Sequence, residues 1–68
     1  MTYPIYGITK SNAEVKETLI KTILKEPFDI KCIGENWAVV ILNGVELDVI
    51  FDQIEATKIV RISDGGDS

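Results

Sequence analysis

Between Ser11 and Glu26 the apolar residues Val15, Leu19, Ile20, Ile23 and Leu24 recur at intervals of three and four. That spacing gathers them on one stripe of a helix. Ser11 and Glu14 stand three apart at its start, the pattern of a capping box. Glu17 and Lys21 sit at i,i+4 in the favourable order. Pro27 disfavours helical geometry at Glu26 and stops the helix there. The stripe predicts a helix with one face on a core.

Elsewhere the period shortens to two. Tyr3–Thr9 carries aromatic and β-branched residues and reads as a strand, with Pro4 confining it to a sheet edge or a strand start. From Phe28 to Gly34, Phe28, Ile30 and Cys32 fall on one side and Asp29, Lys31 and Ile33 on the other. Trp37–Leu42 and Val45–Phe51 flank Asn43-Gly44, the strongest short signal for a hairpin, because a type I′ turn needs positive φ at both central residues. A two-residue turn fixes the register: Leu42 opposite Val45, Val40 opposite Leu47, Ala38 opposite Val49 on one side; Ile41 opposite Glu46, Val39 opposite Asp48, Trp37 opposite Ile50 on the other. Glu35 opposite Asp52 would set like charges together, so pairing ends before them. Residues 52–56 read as a connector and 57–62 as a last strand.

The element order is β-α-β-β-β. It predicts an α+β two-layer sandwich, one amphipathic helix packed on a mostly antiparallel sheet. Residues 1–62 form a single domain and 63–68, rich in Ser, Asp and Gly, a flexible polar tail. The pattern leaves the strand order open, including a last strand that returns beside the first.

At 68 residues the chain is short enough that its core is marginal. Small domains often lean on disulfides, metals or partners. Cys32 is the single cysteine and there is no histidine. An internal disulfide is therefore excluded and a zinc site disfavoured. The absent histidine removes the usual near-neutral acid–base group and any Cys–His nucleophile. Ser11 is spent on a helix cap, and no phosphate-cradling glycine motif occurs. The carboxylates around Gly65 and Gly66 are too few for a calcium loop. No enzyme activity, cofactor or metal is expected. No run of apolar residues is long enough to span a membrane, and the first residues lack the charged and apolar regions of a signal peptide, so the expected location is the cytoplasm.

Charge is unevenly spread. Residues 1–34 hold five lysines against four acids, a net of +1; residues 35–68 hold two cations against seven acids, a net of −5. An acidic half repels phosphate backbones, so direct nucleic-acid binding is not expected, whereas a basic protein partner is favoured.

One helix covers one face of the sheet. The other face then shows Trp37, Val39, Ile41 and Ile50, rimmed by Glu46, Asp48 and Asp52. An apolar centre with a charged rim is how many interaction surfaces are built, and Trp is a preferred anchor. Three other arrangements compete: a connector or tail folded over that face, ordinary surface exposure, or a register slipped by one residue. The sequence is read as a small acidic protein-binding module, an inhibitor or adaptor docking on a larger protein with a basic groove. Its size and charge are similar to those of small phage- and plasmid-encoded inhibitors. The alternative is a self-assembling subunit, joined through the Trp37–Ile50 face or an edge strand.

Overall fold

A computed structural model of the chain describes residues 3–64. One helix, α1 (Lys10–Leu24), is followed by four strands: β1 (Asp29–Ile33), β2 (Trp37–Leu42), β3 (Val45–Phe51) and β4 (Ile59–Asp64). The strands run antiparallel in the order β1-β2-β3-β4, and the helix packs on one face, the expected α+β sandwich. β4 therefore lies at the far edge from the N-terminal segment. It extends two residues past the expected Ile62, through Ser63 and Asp64. Residues 65–68 of the expected tail lie outside the described residues.

The hairpin forms in the predicted register, from Leu42 opposite Val45 to Trp37 opposite Ile50. Asn43 and Gly44 take the positive φ that the turn requires, 53° and 79°. Beyond Trp37 the ladder gives way to single bonds, the Gly34 amide donating to the Trp37 carbonyl at 2.7 Å and the Phe51 amide to the Asn36 carbonyl at 2.8 Å.

The first segment is not the full strand that its composition suggested. Only Ile5 pairs, in a parallel bridge to Ile33. The Tyr6 amide donates to the Ile33 carbonyl at 2.9 Å, and the Ile33 amide to the Pro4 carbonyl at 3.2 Å. Pro4 has no amide to extend the ladder, and Gly7, at φ 73°, turns the chain away toward the helix.

The helix begins one residue earlier than expected, and the Ser11–Glu14 capping box is replaced by a different cap. Thr9 is the N-cap, its hydroxyl accepting from the Asn12 amide at 3.2 Å. At the far end Lys25 adopts the left-handed conformation, and its amide donates to the Lys21 carbonyl at 3.2 Å. The buried line runs Ala13, Lys16, Ile20, with Leu19 and Leu24 partly covered. Val15 and Ile23, placed on the core stripe by the sequence pattern, are about half exposed. The helix is thus rolled so that the aliphatic stem of Lys16 takes a core position.

The core comprises Ala13, Ile20, Ile33, Ala38, Val40, Val49 and Phe51, with Ile30, Leu47, Ile59 and Ile62 packed against it. Ile33 reaches it by a bulge. In β1, Ile30 pairs with Val40, but Cys32 pairs with Val39 and Ile33 with Ala38. The extra residue, Lys31, breaks the simple alternation. Ile30 and Ile33 share the helix side, and Cys32 moves to the other.

A second tie joins the N-terminal segment to α1. The Tyr3 hydroxyl donates to Glu17 Oε1 at 2.7 Å. Burial and that bond, together with the charges of Glu17 and Glu14, push the Tyr3 phenol from 10.0 up to about 12. The folded state therefore holds this proton more tightly than the unfolded chain does. The associated stability is complete below pH 10 and is lost as pH rises toward 12. Lys16, whose pKa burial lowers from 10.5, contributes a slope of opposite sign in the range below 10.5, so the useful quantity is a difference. Urea midpoints of wild type and Tyr3→Phe should converge across pH 10–12, closing a gap of about 1 kcal/mol, since partial exposure weakens the full linkage value. A constant gap would show that the phenol proton is not held in the fold.

Candidate functional site

The face of the sheet turned away from α1 is built by alternation along β2 and β3. Ala38, Val40 and Val49 point to the core and are at most 1% exposed. Their neighbours must point the other way. Three cross-strand pairs follow: Trp37 with Ile50, Val39 with Asp48, and Ile41 with Glu46. All six are partly buried, and the apolar ones are absent from the core that packs under the helix. The structure thus brings together six of the residues that the sequence placed on this surface.

Asp52 stands apart from them. It follows β3, and its Oδ1 accepts from the Ile54 amide at 2.9 Å. This Asx turn is closed further by the Asp52 amide to the Lys58 carbonyl at 2.8 Å and the Lys58 amide to the Glu55 carbonyl at 3.0 Å. Its Oδ1 shapes the connector, while the carboxylate keeps its negative charge beside the end of β3.

Nor does the connector cover the face. Lys16 Nζ, on α1, donates to the Ala56 carbonyl at 3.3 Å, which holds the loop toward the helix layer. A slipped register is also ruled out, by the pairing above. The one cover observed among the described residues is Tyr6. Its ring stacks on Trp37 with centroids 6.0 Å apart and planes 21° from parallel. The indole in turn packs against Gly34, where any side chain would collide with it. Trp37 is thus clamped between Tyr6 and Gly34.

Sequence reasoning missed several residues of this surface. The β1 bulge brings Cys32 in beside Val39. Lys31 Nζ contacts Glu46 Oε2 at 2.8 Å, an exposed pair. That bond and the carboxylate charge raise the Lys31 pKa. β4 adds Arg61 opposite Ile50 and Ser63 opposite Asp48. The acidic rim is thus partly answered from within. Glu46 is paired, while Asp48 has no ion pair among the described residues. Arg61 and Ser63 could have been found only with the β3–β4 register, which no short turn signals.

The carboxylates Glu46 and Asp48 of this surface lie on a sheet face, partly buried beside Ile41 and Val39. A shallow groove at the end of the helix is lined by Lys21, Lys25, Glu26, Pro27 and Phe28, and all but Phe28 are exposed. Among the described residues no cluster of three metal-ligating side chains occurs, and no helix is long and apolar enough to cross a membrane. No protein-family model, curated protein or solved structure matches this chain.

Proposed function

We propose that the chain is a small, non-enzymatic protein-binding module that acts in the cytoplasm. It docks the face centred on Trp37, Val39, Ile41 and Ile50 onto a larger protein. The observation that carries this reading is the clamped indole of Trp37 amid an apolar field that contributes nothing to the core under the helix. Rigid aromatics at the centre of a patch are typical binding anchors, since little side-chain entropy is lost on docking. The partner's chemistry follows from Asp48, the free carboxylate at the middle of the face, and from the net −5 of residues 35–68. A groove lined by lysine or arginine around an apolar floor complements both. An inhibitor or adaptor role fits such a surface.

The test is capture from the cells that make the protein, with Trp37→Asp and Asp48→Lys as paired controls. Both variants are expected to lose a partner that wild type retains, Trp37→Asp completely and Asp48→Lys by about tenfold in affinity. Identical captured proteins on all three would contradict the proposal.

A further inference from the structure

The two edges of the sheet differ. On the β1 side the rim is interrupted by the Lys31 bulge and capped at Ile33 by the proline-bearing first segment. On the β4 side nothing pairs with the outer edge among the described residues. Past its bulge between Ile50 and Phe51, β4 runs in regular register: Arg61 opposite Ile50, Ile62 opposite Val49, Ser63 opposite Asp48, Asp64 opposite Leu47. Regular open edges are templates for another strand.

We infer that β4 pairs antiparallel with β4 of a second copy of this chain, about a two-fold axis at Ile62, to form one eight-stranded sheet. Directly opposed residues in a continuous sheet must share a face, which limits the registers to those that pair like with like. Centring on Ile62 sets Arg61 beside Ser63 of the second copy, and the converse. On the helix side this makes an unbroken apolar row, Val49–Ile62–Ile62–Val49, that closes the open flank of each core. On the other side it makes the row Asp48–Ser63–Arg61–Ile50 twice. Arg61 and the second copy's Asp48 then stand two strand spacings apart, about 10 Å between backbones. Only the small side chain of Ser63 lies between them. An arginine extended across it reaches the carboxylate, and the two-fold axis forms the bond twice.

Both charges lack an ion-pair partner among the described residues, where Arg61 is exposed. A strand without a carboxylate in that row would leave Arg61 facing nothing, so the charge also selects against other strands. The neighbouring registers fail. Centring on Arg61 opposes two guanidinium groups, and centring on Ser63 breaks the apolar row at Ile62 with Asp64, whereas centring on Ile62 leaves Asp64 at the end of the pairing, opposite Val60 at the bulge. The pairing does not involve Trp37, but it engages Asp48, so Arg61 of the second copy and a basic partner compete for that carboxylate. If both hold, the two faces join into one broad surface.

The test is light scattering after size-exclusion chromatography of the full chain, from micromolar to millimolar. Wild type should pass from its 7.6 kDa monomer to twice that mass. Arg61→Asp should weaken association by about tenfold or more, and the swapped double variant Arg61→Asp with Asp48→Arg should restore it to near wild type. Circular dichroism checks that each variant is folded, as expected for exposed Arg61. Trp37→Asp should leave the dimer intact even though it abolishes partner capture. A wild type that stays monomeric at millimolar concentration overturns the inference. So does a dimer indifferent to Arg61→Asp, a swap that restores nothing, or a dimer lost only in Trp37→Asp.

Discussion

Replacing Ile33 with Thr is expected to remove roughly 2–4 kcal/mol of stability, whereas replacing its neighbour Cys32 with Ser should cost less than about 1 kcal/mol. The contrast follows from the bulge. Ile33 is 0% exposed and touches the core between the first segment and Ala38. Thr removes most of the buried hydrocarbon and adds a hydroxyl with no partner provided for it, a loss of roughly 2–4 kcal/mol. A domain of this size has a total stability of only about 3–9 kcal/mol at the usual value per residue. Cys32 sits on the other side of the sheet, half covered, and its thiol makes no bond that Ser would break. Urea denaturation of both variants decides the point. Were the strand to alternate without the bulge, the two results would be exchanged.

Lys16 is the second site of large effect, and the direction depends on the replacement. It is 3% exposed, with Nζ 5.0 Å from the centre of the Phe51 ring and 3.3 Å from the Ala56 carbonyl. Burial depresses its pKa, and the charge of Glu35 offsets this only in part. Folding thus carries a desolvated cation whose compensation is one carbonyl, one aromatic face and a distant carboxylate. Lys16→Met keeps the stem over Phe51 and removes the charge, so stability should hold or rise by about 1–2 kcal/mol. Lys16→Ala loses the stem as well and should cost about 2–3 kcal/mol. The same denaturation series measures both. Equal losses in the two variants would mean that the ammonium itself holds the connector, and that the hydrocarbon contributes little.

These two sites also mark where the sequence stopped being informative. The hairpin was legible because Asn43-Gly44 admits one turn and the apolar alternation on both arms agrees with it. The helix was legible from its spacing, but its roll was not. A hydropathy pattern counts lysine as polar, while the fold uses its four methylenes as core. The β1 bulge left no mark because Ile30, Lys31, Cys32 and Ile33 keep an apolar residue available to either side. Ser11 was read as the cap from its spacing to Glu14, but Thr9, two residues earlier, takes that role. Of the candidate surface, the residues on β2 and β3 followed from the hairpin register. The Asx turn that Asp52 closes did not, because an aspartate two residues before a turn amide can close that turn as readily as face solvent. Lys31, Cys32, Arg61 and Tyr6 join the face through long-range pairing and stacking, which local pattern does not encode.

On the proposed function, the Trp37–Ile50 face serves recognition and not folding. The most direct measurement reads one variant in both respects: Val39→Thr with Ile41→Thr and Trp37→Asp, followed by urea denaturation and by capture from the cells that make the protein. The prediction is a domain that still folds cooperatively, with about 2–3 kcal/mol lost through the Tyr6 and Gly34 contacts of Trp37, and that retains none of the partner held by wild type. A variant that loses several kcal/mol while capturing the same proteins would show that the face is structural, and would contradict the claim.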